Sequence, residues 1–387
     1  MNGEVRAEAI ALLERLVAFD TESDKSNLPL IDFVEDWLRR RGVEVSRAPN
    51  RAGDKAALLA TIGPSADGGI VLSGHTDVVP VAGQKWTGDP FALRAEGERL
   101  YGRGACDMKG FDAIALAMVP HFQAANLRKP VHILLSYDEE TTCIGSLDFI
   151  ARFGADLPRP AAIIVGEPTM MAVVDAHKSI ATFMTTVSGF EAHSSNPALG
   201  ANAVQTACEI VGEIGRLAEA YEKAQRNPRF DPPYSTLHVG TIHGGTARNI
   251  LARQCAFHWE FRGLPGDGTM AALARVQDYV DRVALPRLTR YVKGPSVETV
   301  VEVDIPGLAA APGSAAETLA LKLTRSNQTK AVSFATEAGQ FQTAGLPTIV
   351  CGPGSIEQAH KPDEFISLSQ IDAGIAFLTR LAEELSA

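Results

Sequence analysis

The stretch Val131-His-Ile-Leu-Leu-Ser-Tyr-Asp138-Glu139-Glu140-Thr141 decides how this chain is read. Val131 to Ser136 is short and apolar, which predicts a buried strand. Two adjacent carboxylates, Glu139 and Glu140, follow where that strand hands over to a loop. The same succession recurs along the chain. Gly69-Ile-Val-Leu-Ser-Gly74 runs into His75-Thr76-Asp77, Leu100 to Cys106 runs into Asp107, and Ala161 to Val165 runs into Gly166-Glu167-Pro168. In open α/β sheets the carboxyl ends of strands line the ligand crevice. Four segments therefore deliver one imidazole and several carboxylates to one place. Carboxylates so crowded repel one another unless cations hold them, and the pattern predicts a two-metal hydrolase.

Bulk properties narrow the alternatives. A chain of 387 residues, 45% hydrophobic, predicts two or three domains with sizeable cores. The net charge of -10, without a dense Lys/Arg stripe, argues against a nucleic-acid partner. Five cysteines are scattered with no CxxC pair, which argues against a disulfide framework or a Cys-rich zinc knot and favours a reducing cytoplasm. Met1 to Asp20 mixes charged and apolar residues at helical spacing, so it reads as a helix and not a signal peptide. No apolar run is long enough to span a bilayer, so no membrane association is expected.

Strand and helix patterns alternate up to about residue 178, which favours a mixed, mostly parallel sheet with helices on both faces. Strands are then expected at Thr182–Ser188, Ser235–His243, Cys255–Arg262 and Val297–Val303, with helices over Ala201–Tyr221 and Thr269–Leu288. That β-α-β-β-α-β order is the split motif of ferredoxin-like α+β domains. After Pro312 a helix over Ala315–Thr324, the strand Pro347–Cys351 and a last helix from Ser369 resume the first pattern. The expected organisation is a discontinuous catalytic domain, 1–178 and 312–387, with an inserted domain, 179–311.

Each acid has a chemical part to play. A metal-bound imidazole donates its second N–H to a carboxylate or carbonyl, and Asp77, two residues beyond His75, suits that role. A strand-end histidine beside a turn aspartate is the alternative. Asp107 lies between glycines in Gly102-Arg-Gly-Ala-Cys-Asp-Met-Lys-Gly110, short of the helix expected near Phe111. Metal-assisted hydrolysis needs ligands and a separate base, and Glu139 and Glu140 can divide those tasks. Glu167 has the same strand-end setting. His360 follows the apolar strand Thr348-Ile-Val-Cys351 and has acids nearby. Imidazole and carboxylate without thiolate suit zinc, cobalt or manganese.

These stretches resemble the M20 metallopeptidase family of co-catalytic zinc enzymes. The resemblance rests on Ser73-Gly-His-Thr-Asp-Val-Val-Pro80, Gly102 to Gly110, Asp138-Glu-Glu140, Gly166-Glu-Pro-Thr169 and His360. It implies one metal on His75, Asp107 and Glu167, and a second on Asp107, Glu140 and His360. It also implies Glu139 as general base, a cis peptide after Asp107, and an inserted domain that serves as lid and dimerisation domain of a homodimer. Zinc is the implied metal, with cobalt able to substitute.

Further resemblance lies in Trp86-Thr-Gly-Asp-Pro-Phe91, Ala192-His-Ser-Ser195, His243-Gly-Gly-Thr-Ala-Arg-Asn249, Phe261-Arg-Gly-Leu-Pro-Gly266, Thr336-Glu-Ala338 and Gly352 to Glu364. It implies removal of acetate from an N-acetyl amino acid, N2-acetyl-L-ornithine, to supply ornithine for arginine biosynthesis. His193 is then an oxyanion donor contributed across the dimer. Arg248, Asn249 and Arg262 are candidates for the substrate carboxylate, because a guanidinium fork fits a carboxylate. The Gly352-Pro-Gly354 backbone would orient the amide, and Glu337 would meet the ornithine ammonium. Desuccinylation of succinyl-diaminopimelate and broad deacylation of N-acyl amino acids are the alternatives within the family. A non-catalytic metal or amino-acid binding protein is the alternative outside it, and Glu139 argues against that, since a binder has no use for a base.

Overall fold

The computed structural model describes residues 2–224 and 226–386. The chain divides into two compact units. The first takes the chain up to Ala176, Ala310–Lys330 and the chain from Thr336 on, and the second takes His177–Ala309 and Ala331–Ala335. The short piece 331–335 joins the second unit although the sequence pattern continues the first. One cause is visible, since Ser333 Oγ donates to Asp231 O at 2.6 Å.

The first unit is built on an eight-stranded mixed sheet. Its middle is four mutually parallel strands in the order Val131–Ser136, Ile70–His75, Ala162–Pro168 and Thr348–Gly352. Antiparallel strands Ala56–Ile62 and Glu44–Pro49 extend one edge. The parallel strands are buried along their whole length, as a sheet covered on both faces requires. Leu72, Ile133, Ile164 and Ile349 join one apolar cluster with the helices Asn2–Val17, Leu28–Arg39, Lys109–Ala117, Ala315–Thr324 and Leu368–Ser386. Their neighbours Val71, Leu134, Ile163 and Val165 are equally buried and point to the other face. Phe149 of Leu147–Arg152 and Phe341 of Ala338–Thr343 are buried outside that cluster.

One expected strand is not part of this sheet. Leu100–Cys106 forms only the end of a short strand, Arg99–Tyr101, which pairs with Arg94–Glu96 and Phe365–Ser367 in a separate three-stranded sheet. Gly102 and Gly104 end its regularity, and Gly104 has φ +79°.

The second unit is a four-stranded antiparallel sheet in the order Thr236–Gly244, Gln254–Arg262, Ile180–Ser188, Ser296–Ile305, with helices Ala203–Lys223 and Thr269–Tyr279. This is the ferredoxin-like arrangement. The alternating burial of Ile180–Ser188 and Gln254–Arg262 places Phe183, Phe257, Trp259 and Phe261 in its core. The helix expected to run to Leu288 passes through a π-helical stretch, Val280–Ala284, before Leu285–Leu288. Pro286 there has no N–H to give to an α-helical ladder. No described helix is long and apolar enough to cross a membrane.

Candidate active site

Parallel strands aim four segments at one point. His75 ends its strand, Asp138 to Glu140 follow Val131–Ser136, Glu167 is next to last in Ala162–Pro168, and the loop after Gly352 leads to His360. Asp107 arrives from a turn that precedes the helix Lys109–Ala117.

Asp107 is the centre of the cluster. Its Oδ1 lies 3.2 Å from His75 Nε2 and its Oδ2 lies 3.4 Å from His360 Nε2. Glu140 Oε2 lies 2.9 Å from the same nitrogen of His360. On the other side Glu167 Oε1 and Glu139 Oε2 lie 3.8 and 4.0 Å from His75 Nε2. Two imidazole–carboxylate arms thus fork from one aspartate. Ligand-type atoms of His75, Glu139 and Glu167, and of His75, Asp107 and Glu140, all lie within 4.8 Å of one another. Glu139 falls inside one of these groups, so distance alone does not divide base from ligand. His75, Asp107 and Glu167 are buried, Glu139 and Glu140 are half-buried with only 9% and 7% of their side chains exposed, and the His360 side chain is half exposed.

Burial, and then the neighbouring carboxylates, push the Glu139 and Glu167 carboxyls well above their ordinary range. Burial and Asp107 raise Glu140 to about 7. Hydrogen bonds to Asp107 and Glu140 raise His360 to about 10. The buried Glu167 Oε1 has no hydrogen-bond partner among the described residues. An orphan carboxylate oxygen in a crowd of acids, facing an imidazole, is satisfied by a cation. The donor set of imidazole and carboxylate therefore fits divalent metal ions.

Asp77 serves this cluster differently from the expected way. His75 Nδ1 faces the Asp77 main-chain carbonyl at 2.9 Å, whereas the nearer carboxylate oxygen is 3.7 Å away. The carboxylate instead accepts the amides of Glu139 and Glu140 at 3.1 and 3.2 Å and the Ser23 hydroxyl at 2.7 Å. Carbonyl and carboxylate together aim the imidazole and hold the acid pair.

Two supports escaped the sequence. Glu364 is buried and accepts the amides of Cys106 and Asp107 at 2.8 and 3.0 Å, and Arg103 Nη1 pairs with it at 2.7 Å. This frame fixes Asp107, whose peptide to Met108 is cis. Cys143 Sγ lies 3.3 Å from Glu139 O and 3.5 Å from its Oε1. The acid-rich Lys361-Pro-Asp-Glu364 beside His360 was the only signal for the first, and nothing marked the second.

Three substrate-binding expectations need correction. Glu337 is 1% exposed, and its Oε1 accepts the Ser73 hydroxyl at 2.5 Å, so it is sealed under the strand that carries His75. Gly352 N donates to Thr169 Oγ1 at 3.2 Å and Gly354 N donates to Gln370 Oε1 at 3.0 Å. Their carbonyls accept from Thr169, Met171 and Met170. Those backbone groups are spent on the fold. A Cβ on Gly352 would meet Gly166 O at 1.9 Å, which is why glycine stands there.

The remaining residues belong to the second unit. His193 bridges Ile250, Ser194 N donates to Asn249 O at 3.0 Å, and Leu251 N donates to Ala192 O at 2.8 Å. His193, Arg248 and Asn249 are thus exposed on one paired ribbon. Ser195 N and Oγ both meet His193 Nδ1, at 3.2 and 2.7 Å. An amide can only donate, so Nδ1 accepts and Nε2 carries the ring proton. Arg262 is half-buried and paired with Glu260 at 3.1 Å.

Residues 71–384 match the family model described as peptidase family M20/M25/M40. The chain belongs to that family. It is accordingly a hydrolase acting on amide bonds. Curated relatives include the acetylornithine deacetylase of Proteus mirabilis, 36% identical over 95% of this chain and 92% of the relative. That of Edwardsiella ictaluri is 36% identical over 96% of each. Among solved structures, an M20-family metallo-carboxypeptidase from Sulfolobus solfataricus superposes with a TM-score of 0.76 at 18% identity, covering 98% of this chain and 99% of the other. That last likeness is one of fold.

Proposed function

We propose that this M20 chain is a cytoplasmic two-metal deacetylase that removes acetate from N2-acetyl-L-ornithine and supplies ornithine for arginine biosynthesis. The carrying observation is the fork at Asp107, with an imidazole on each oxygen and a second carboxylate beside each imidazole. The substrate reading draws on relatives of that activity that match nearly the whole chain.

His75, Asp107 and Glu167 would hold one ion and Asp107, Glu140 and His360 the other, with Asp107 shared. Zinc suits this donor set and cobalt substitutes for it. Such ions polarise a carbonyl and lower the pKa of water toward ~7. Glu139 takes the proton of the attacking water at its carboxylate and returns it to the leaving nitrogen. Burial, which raises Glu139, makes it a stronger acceptor than an exposed glutamate. Asp77 keeps Glu139 and Glu140 in register by holding both amides.

His193 of the partner subunit donates a hydrogen bond from its Nε2–H to the oxyanion that forms on the amide carbonyl. Arg248, Asn249 and Arg262 orient the α-carboxylate. A homodimer through the second unit is supported by the outer edge of Thr236–Gly244, which no strand among the described residues covers, and by exposed Phe190, Leu199, Ile242 and Ile250. The test is a steady-state comparison of N2-acetyl-ornithine, N-succinyl-diaminopimelate and N-acetyl-methionine with metal-loaded enzyme. The highest kcat/KM is expected for N2-acetyl-ornithine, and a higher value for either competitor reassigns the substrate.

A further inference from the structure

The acid pair stands on a floor that begins near the amino terminus. Thr21 to Ser23 run beside Thr76 to Val78. Thr21 Oγ1 donates to Thr76 O at 2.6 Å, Val78 N donates to Thr21 O at 3.0 Å, and Ser23 N donates to Val78 O at 3.1 Å. Ser23 then reaches in two directions. Its hydroxyl donates to Asp77 Oδ2 at 2.7 Å, and its carbonyl accepts from Lys55 Nζ at 2.5 Å. Lys55 also pairs with the carboxylate of Asp138.

Asp138 immediately precedes Glu139 and holds the turn in which both acids sit. Its φ is +56°, a left-handed conformation that aspartate tolerates better than most residues. Its carbonyl gathers the amides of Thr142 and Cys143 at 2.9 and 2.7 Å. The segment 138–140 is therefore gripped from both sides. Asp77 holds the amides of Glu139 and Glu140, Lys55 holds the side chain of Asp138, and Ser23 joins the two grips. The Lys55 and Asp138 side chains are only 12% and 15% exposed, so water screens this pair far less than a surface pair. Lysine suits the position because an ammonium is a compact charge with three rotatable donors, able to serve a carbonyl and a carboxylate at once.

We propose that Lys55 is a positioning residue for the hydrolysis. Through Asp138 and Ser23 it fixes the turn that aims Glu139 into the cluster, without touching substrate or ligand atoms. This rests on the reading of Glu139 as general base.

The test is a double-mutant cycle of Lys55→Met and Asp138→Asn, with Lys55→Arg as the conservative variant. Each is read by kcat, KM, bound metal and melting temperature of the metal-loaded protein. Lys55→Met is expected to lower kcat about 10- to 100-fold, as loss of a supporting contact around a metal site typically does, with KM and both metals kept. Lys55→Arg is expected to recover part of the loss. Asp138→Asn is expected to lose a similar factor, and the double variant no more than either single one, because they break one shared contact. If Lys55→Met fails to fold, Asp138→Asn reads the same contact from its other end. Unchanged kcat, a loss that tracks metal content, or additive losses overturn the proposal. Glu139→Gln is assayed alongside. If it retains turnover, the base assignment falls and the proposal with it. If it is inactive while Lys55→Met turns over normally, only the proposal falls.

Discussion

Glu337 and Glu364 were both acids in the carboxyl-terminal stretch, and only their neighbours tell them apart. Glu337 lies under Ser73, and burial pushes its carboxyl above the ordinary value. Glu337→Ala is therefore expected to destabilise the fold by about 1–3 kcal/mol, the cost of stranding a buried hydroxyl. It should change KM for N2-acetyl-ornithine and N-acetyl-methionine alike. A KM rise confined to N2-acetyl-ornithine, measured in steady state, would return the ammonium-reading role to it. Glu364 does what sequence could not announce, because its partners Cys106 and Asp107 are 258 and 257 positions away. The ligand-type side chains were legible because each lies at the end of a strand, in the loop after one, or just before a helix. Their supports were not, because backbone amides carry no sequence signature.

At the scale of elements, the strand Val131–Ser136 was readable from its apolar run alone, and it carries an internal probe. His132 sits within it, with Nδ1 at 3.0 Å from Thr61 Oγ1 and Nε2 without a partner among the described residues. Burial lowers its pKa to about 4. The unfolded chain takes up that proton near 6.5, the folded chain only near 4. Stability is thus lost as pH falls from 6.5 toward 4, and is unaffected by this group above 6.5. Between pH 6.5 and pH 5 the loss from this site is about 2 kcal/mol. His132→Gln should flatten the pH dependence of unfolding by about that amount, measured in denaturant titrations of the metal-free protein. Equal slopes in the two proteins would place the proton uptake elsewhere. The turn bearing Asp107 was less legible than this strand. Leu100 to Cys106 has apolar content but two glycines, and the short strand it forms belongs to another sheet.

For the whole molecule, alternation of strand and helix patterns was enough to anticipate a parallel-centred sheet interrupted by a ferredoxin-like unit. The return of Ala331–Ala335 to the second unit was not, since five residues without periodicity give no sign of where they pack. Assembly makes its own prediction. If His193 serves the partner subunit, His193→Ala and Glu139→Ala homodimers should each be nearly inactive. Mixing them should restore activity, because one site in each heterodimer then has both groups. Recovery is read by kcat after subunit exchange is confirmed by mass. No recovery would confine His193 to its own chain or remove it from the reaction.

The central claim is that one of two adjacent glutamates moves a proton while the other holds a metal. The most direct measurement is the metal-to-protein ratio of purified Glu139→Ala and Glu140→Ala, taken together with their turnover of N2-acetyl-ornithine. Glu139→Ala should keep both ions and lose a factor of about 10²–10⁴ in kcat, the usual worth of a general base. Glu140→Ala should lose one ion. Equal metal loss in both variants, or a Glu139→Ala enzyme that still turns over at the native rate, would contradict it.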